Sequence, residues 1–434
     1  MSILIKNAEL VDGRKVDLLI ERDQISELDN AGSLNIAADE VIDANGKLLI
    51  PGLVDLHTHL REPGREDAET VDTGSRAAVR GGFTAISAMA NTLPVADTAG
   101  VVEQIFRLGQ ASGLCDVFPI GAVTEGLEGK KLSELGAMNQ SAAQVRIFSD
   151  DGKCVFDPLI MRRALEYVKS FDGLISQHAQ EPRLTEGAQM NEGAISSELG
   201  LAGWPAIAEE AIIARDILLA EHVDSRLHIA HLTTAGGVDL VRWAKARGVK
   251  VTAEVTPHHL LLTDESVRGY DAVYKVNPPL RTEADVLALR AGLADGTIDI
   301  VATDHAPHPA EDKDCEWQAA AFGMLGLETA LSVVVMTMVE SGLMNWAKLV
   351  QVMSTNPGRI ARYTGHGGEI AVGSVANLAL VDTKAKWTVD RNKMASKSKN
   401  TPFNEMELPA VVTHTIYRGR VVMANSQIRE GANK

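Results

Sequence analysis

The sequence predicts an α/β protein in which a (β/α)8 barrel fills the middle of the chain and the two ends combine into a small β-domain. Three observations carry that expectation. Eight short apolar stretches alternate with helical ones between residues 54 and 304, the rhythm of parallel βα units. Histidines and aspartates of metal-ligating type recur at the C-terminal ends of those strands, where βα barrels gather their active sites. Residues 3–50 and the stretch from about Gly368 onward have another texture, short strands and turns without helical periodicity.

In the N-terminal part the expected strands are 3–5, 17–21, 24–28, 41–43 and 47–50, and no cluster of catalytic residue types lies among them. The barrel strands are expected at 54–60, 84–90, 117–123, 144–149, 174–180, 226–232, 250–256 and 299–304. Helices are expected between them at 67–80, 97–108, 158–170, 206–221, 235–246 and 283–293, with two more at 326–340 and 346–353. The C-terminal part returns to strands at 376–381 and 411–417, then a turn at Arg418-Gly419-Arg420 before Val421-Val422. The implied boundaries are 1–52, 53–366 and 367–434, the outer two forming one unit. A doubly wound open sheet is the competing architecture, and it is disfavoured because no glycine-rich dinucleotide fingerprint follows the first barrel strand.

A chain of 434 residues with 45% hydrophobic content can bury a large core. Its formal net charge of −16 argues against general nucleic-acid or anionic-membrane binding, because the summed field repels polyanions. A local arginine can still hold a small anion. Cys115, Cys154 and Cys315 are odd in number and widely spaced, which suits a reducing compartment better than a disulfide framework. The N-terminus lacks the apolar core of a signal peptide, and the run at 330–339 is too short to span a bilayer, so a cytoplasmic protein is expected.

The most informative stretch is Val54-Asp55-Leu56-His57-Thr58-His59-Leu60-Arg61-Glu62-Pro63-Gly64. Side chains alternate faces along a strand, so His57 and His59 point the same way at its end and can share one metal ion. Arg61 continues that face, placing a guanidinium beside the metal and favouring an anionic substrate. Asp150 and Asp151 end the fourth strand, His178 the fifth, His231 the sixth and Asp304 the eighth. A lone strand-end histidine is most often a satisfied core residue; the convergence of all of them on one rim argues for metal. Asp150 and Asp151 are adjacent and cannot both point inward, so strand parity leaves open which one does. His228, three residues before His231, is expected to face away as a structural residue. His258 and His259 come late in the seventh strand, and no pattern requires them as ligands.

The set His57-x-His59-x-Arg61-Glu62-Pro63-Gly64, His178, His231 and Thr303-Asp304-His305-Ala306-Pro307-His308 resembles the amidohydrolase superfamily, and within it the class I dihydroorotases. The resemblance covers nearly the whole chain and implies a β-sandwich built from both ends. It further implies that His57, His59 and Asp304 bind a first Zn2+, that His178 and His231 bind a second, and that a strand-4 aspartate, Asp151, bridges them. Many relatives bridge with a carboxylated lysine; Phe148-Ser149-Asp150-Asp151-Gly152 has none, as in class I.

The implied reaction is the reversible hydrolysis of (S)-dihydroorotate to N-carbamoyl-L-aspartate in pyrimidine biosynthesis. Zinc lowers the pKa of bound water toward ~7 and polarises the scissile carbonyl. Asp304 would carry the proton. By the same resemblance Arg61, Asn91 and His308 hold the substrate carboxylate, His59 adds a contact, Asn277 reads the amide edge of the ring, and Phe322-Gly323 supplies a backbone contact. The charged stretch 309–321 is expected to be a mobile loop over the site. Two alternatives stand beside this reading. One is an allantoinase or hydantoinase, which Arg61 and the missing bridging lysine oppose; the other is a non-catalytic partner of aspartate transcarbamoylase, which the complete ligand set opposes. Association with aspartate transcarbamoylase and a homo-oligomeric state are partner expectations of the same resemblance.

Overall fold

The computed structural model describes residues 2–429. The N-terminal end forms β1 (Ser2–Glu9), β2 (Lys15–Glu21), β3 (Gln24–Asn30), β4 (Glu40–Asp43) and β5 (Leu48–Pro51). The middle runs through β6 (Leu53–Thr58), β7 (Phe83–Ala88), β8 (Asp116–Pro119), β9 (Ile147–Phe148) and β10 (Leu174–Gln177). A short pair, β11 (Met190–Asn191) and β12 (Gly203–Trp204), precedes β13 (Leu227–Ile229), β14 (Val251–Val255) and β15 (Ile300–Val301). The chain ends in β16 (Leu378–Thr388), β17 (Glu407–Tyr417), β18 (Arg420–Ala424) and β19 (Gln427–Ile428).

Strands β6–β7–β8 pair in parallel, and so do β9–β10–β13–β14–β15. Parallel bridges between Gly121 and Phe148 and between Thr58 and His305 join the two groups, so the pairing returns to the strand on which it began. Inside, Val54, Leu56, Ile147, Leu174, Ile300 and Ala302 form one apolar cluster, closed by Ile360 and Ala361 of the helix Asn356–Ala361. Fully burying each large aliphatic side chain contributes about 1.5–3 kcal/mol, which makes this floor a rigid base for the polar rim.

Both chain ends enter a single sheet of nine strands among the described residues, where β5 pairs antiparallel with β16 across Pro51–Leu378 to Leu48–Val381. The strands expected to form a sandwich are thus hydrogen-bonded continuously. Several expected elements shift. The first helix begins at Val71, not at 67, because Thr70 and Thr73 form a capping box and the buried Glu69 turns inward to Ser396 and to His305 (3.4 Å). The parallel strands are shorter than their apolar runs, because apolar periodicity marks burial and not pairing. The expected helix at 326–340 is α-helical only over Ala330–Val334 and continues as a π-helical turn, Val335–Val339.

Asp116, at the start of β8, ties the parallel strands to the sheet of the chain ends. It accepts from the Tyr417 hydroxyl (2.7 Å) and from Arg418 Nη2 (2.9 Å), and lies 2.8 Å from His366 Nε2. Burial raises its carboxyl, but His366 first, then Tyr417 and Arg418, outweigh burial and hold it at about 2. A carboxyl depressed in the folded state stabilises above its unfolded pKa, and that contribution is lost as pH falls toward the folded value. Asp116→Asn is therefore expected to cost about 2 kcal/mol at pH 7 and progressively less between pH 4 and pH 2. Urea melts of both proteins across that range measure the difference.

Candidate metal centre and substrate pocket

Two donor groups of metal-ligating geometry stand at the C-terminal ends of the parallel strands: His57, His59 and Asp151, and Asp151, His178 and His231. Within each, the ligand atoms lie within 4.8 Å of one another, and Asp151 belongs to both. Its Oδ1 is 3.4 Å from His57 Nε2, 3.3 Å from His178 Nδ1 and 3.1 Å from His231 Nε2, while Oδ2 is 3.3 Å from His59 Nε2. Asp304 stands outside both groups but against the first, its Oδ1 3.0 Å from His59 Nε2 and 3.5 Å from His57 Nε2. Burial raises the Asp304 carboxyl; His57 and then His59 outweigh it and hold it at about 2. Asp304 is thus a carboxylate at neutral pH.

The residues fit a bound cation. His57 Nε2 is buried without a hydrogen-bond partner, a costly state for an imidazole nitrogen unless a ligand completes it. Borderline imidazole and hard carboxylate donors in this mixture suit zinc. Asp150 takes no part: it accepts from the N–H groups of Val123 (2.8 Å) and Thr124 (3.0 Å) and from the Thr124 hydroxyl, pinning the preceding strand end. That choice was not legible from strand parity, because β9 ends at Phe148, before either aspartate.

Three of the candidate ligand histidines are oriented from behind. His59 Nδ1 lies 2.9 Å from Asn91 Oδ1, and His178 Nε2 lies 2.7 Å from Gln180 Oε1, so both rings turn the opposite nitrogen to the cluster. His57 Nδ1 lies 2.6 Å from Glu254 Oε1. Asp55 accepts from the backbone N–H groups of His57 (3.0 Å) and Thr303 (3.1 Å), holding the strand of the histidines against the turn of Asp304. Sequence reasoning missed Glu254, Gln180 and Asp55. For Asp55 and Glu254 the signal was an acidic side chain inside a buried strand, Val251-Thr-Ala-Glu-Val255 being the clearer case; Gln180, beyond the end of β10, gave none. His228 lies outside both donor groups, as expected, but its ring reaches Glu254 (3.0 Å) and so connects to the site. His259 bonds to Thr256 (2.7 Å) and to the Pro278 carbonyl (3.1 Å), and His258 Nε2 is buried without a partner.

Strand alternation does not extend to Arg61, since β6 stops at Thr58 and Arg61 adopts a left-handed φ of 63°. His231 (φ 30°) and Asp304 (φ 48°) share that rare region for a non-glycine residue, so three residues around the cluster hold strained backbone. The Arg61 guanidinium donates from Nε to the Pro307 carbonyl (3.1 Å) and approaches His308 Nε2 (3.2 Å). Burial, reinforced by Arg61 and Lys313, pushes His308 down to about 2, which leaves it neutral. His308 Nε2 also lies 2.9 Å from the Phe322 carbonyl. Gly323 (φ 141°) must be glycine, because a Cβ would come within 2.8 Å of Ala306 Cβ and 2.9 Å of His308 Nε2. Its N–H donates to the Lys275 carbonyl (2.9 Å). Asn277 donates from Nδ2 to Gln180 (3.4 Å), and its Oδ1 is buried without a partner.

The stretch 309–321, expected to be a mobile loop over the site, makes anchoring contacts on several sides. Ala310–Lys313 is a short helix, and Lys313 Nζ donates to the carbonyls of Lys275 (3.1 Å) and Ala321 (2.8 Å). Lys275 Nζ donates to the Trp317 (2.6 Å) and Gln318 (3.2 Å) carbonyls, and the Trp317 side chain packs on Met190, Ile195 and Val267. Composition alone did not show that Lys275 and Lys313 bond to backbone carbonyls of this stretch and its neighbours.

A family model described as dihydro-orotase-like matches residues 46–236. The chain is 65% identical over 427 residues to a dihydroorotase of Streptomyces coelicolor, covering 98% of this chain and 99% of that one. It is 55% identical over 430 residues to a dihydroorotase of Mycobacterium tuberculosis, covering 99% and 100%. Among solved structures, it superposes with a TM-score of 0.87 on the L-hydantoinase (dihydropyrimidinase) from Arthrobacter aurescens, at 25% identity and covering 98% and 97% of the two chains.

Proposed function

Because the chain belongs to the dihydroorotase family, we propose that it catalyses the reversible hydrolysis of (S)-dihydroorotate to N-carbamoyl-L-aspartate at a centre of two zinc ions. His57, His59 and Asp304 would hold one ion and His178 and His231 the other, with Asp151 between them. Bound there, zinc supplies Lewis acidity toward water and toward the scissile carbonyl. The single observation that carries this reading is one buried carboxylate, Asp151, shared by two histidine pairs.

The roles of the surrounding residues follow from their contacts. In ring opening, the Asp304 carboxylate takes the proton of the attacking water and delivers it to the leaving ring nitrogen; in closure it starts protonated and runs the steps in reverse. Arg61 binds the substrate carboxylate, with neutral His308, His59 and Asn91 beside it. Asn277 Oδ1 accepts from the ring amide N–H, which would satisfy its buried oxygen. With the Gly323 N–H committed to Lys275, Phe322 supplies the backbone contact of that pair. Closure consumes a proton, because a carboxylate becomes an amide carbonyl and water leaves, so acid favours dihydroorotate.

The ring of parallel strands is read as a (β/α)8 barrel over residues 53–366, and residues 1–52 and 367–434 as one β-sandwich unit. No helix among the described residues is long and apolar enough to cross a membrane, and the reading places the enzyme in the cytoplasm. A homo-oligomer associating with aspartate transcarbamoylase is the assembly to test, by gel filtration of the chain with and without that enzyme.

The decisive assay follows dihydroorotate and carbamoyl-aspartate with the purified chain, with and without added zinc. A hydantoinase reading is favoured only by the structural superposition, and preferential opening of hydantoin or allantoin would establish it instead. Arg61→Met is expected to raise KM for dihydroorotate about 10- to 150-fold, the equivalent of about 1.5–3 kcal/mol for a charge-assisted contact, with metal content unchanged. Steady-state kinetics and metal analysis check it; a normal KM would remove Arg61 from the carboxylate site.

A further inference from the structure

Glu254, in β14, is bonded to both halves of the donor cluster, through His57 and through the backbone of His231. It is buried, with 1% of its surface exposed. Its Oε1 lies 2.6 Å from His57 Nδ1 and accepts the backbone N–H of His231 at 3.1 Å. Its Oε2 lies 3.0 Å from His228 Nε2, and His228 Nδ1 lies 2.7 Å from Thr252 Oγ1. We propose that Glu254, backed by His228 and Thr252, is a positioning residue that sets the ligand tautomer of His57 and the backbone turn of His231 together.

With His57 neutral, as a metal ligand must be, one hydrogen-bond assignment follows. A carboxylate only accepts, so His57 carries its proton on Nδ1 and presents a bare Nε2 lone pair. Nε2 is the nitrogen that faces Asp151 and lacks any partner. His228 likewise donates from Nε2, so its Nδ1 accepts from the Thr252 hydroxyl. Apart from His57 Nε2, left free for a ligand, the polar groups of His57, Glu254 and His228 in this buried chain are paired, which rigidifies it. The same Oε1 restrains His231, whose φ of 30° is rarely held by a residue with a side chain. One oxygen therefore sets a ring on β6 and a turn after β13.

The inference rests on the metal-centre reading, and the test separates the two. Zinc affinity of the full chain is measured by competition with a chromophoric chelator for the native protein, E254A and E254Q, alongside melting of each metal-free protein and the visible absorption of each cobalt-loaded one. Native protein that binds no zinc would sink the metal reading itself. Outer support of a metal ligand typically contributes 10- to 100-fold in affinity, and that loss is expected for E254A together with a changed cobalt spectrum. E254Q is expected to recover most of it, within about 10-fold of native, because glutamine still accepts at Oε1 and can donate to His228 in its other tautomer. E254A that folds and binds zinc with native affinity overturns the proposal while leaving the metal centre intact. If E254A does not fold, E254S, too short to reach His57 Nδ1, is measured in the same way: at least a tenfold loss of zinc affinity supports the role, and native affinity refutes it.

Discussion

Asp304→Asn is expected to lose ring opening and ring closure together, by roughly 10²–10⁴-fold, while keeping most of its metal. Asparagine preserves the size of the side chain and an oxygen 3.0 Å from His59 Nε2, but it cannot take up and release a proton. Because a catalyst leaves the equilibrium constant unchanged, kcat/KM must fall by one factor in both directions. In the metal-free chain His57 and then His59 hold the wild-type carboxyl down. Kinetics of both directions, paired with metal analysis of the same preparation, test the role. A loss under 10-fold in a fully metallated variant would mean that another group moves the proton, and His308, next along the same turn, would be examined next.

Asp151→Ala should empty the centre, whereas Asp150→Ala should spare it. Asp151 is the one donor common to both groups, and its removal leaves His57, His59, His178 and His231 facing one another without their carboxylate. Losing outer support of a metal ligand typically costs 10- to 100-fold in affinity, so losing a shared ligand should cost more than about 100-fold, with activity falling in step. Asp150→Ala instead strands the N–H groups of Val123 and Thr124. Buried donors left unpaired cost about 1–3 kcal/mol each, which a urea melt will show, while metal content should stay near native. The opposite pattern, with metal lost from the Asp150 variant and kept by the Asp151 variant, would reverse the assignment.

The sequence by itself determined the alternation of strand and helix, the β character of both ends, and the presence of histidines and aspartates where strands stop. Those features are local: they follow from periodicity and residue type along a few neighbouring positions. His57 and His59 were legible as a pair because both lie within reach of one strand's alternation. Beyond the strand ends that rule fails, since Arg61, His231 and Asp304 all turn into left-handed backbone and no period predicts where their side chains go. The separation of Asp150 from Asp151, the meeting of Arg61 with His308, and the anchoring of 309–321 by Lys275 and Lys313 were decided only by tertiary structure. Glu254 belongs with these, because its meaning lies in partners 197, 26 and 23 residues away in sequence. Contacts of that range exist only once the parallel strands lie side by side, and it is the packing of the ring that brings one buried carboxylate within reach of three histidines.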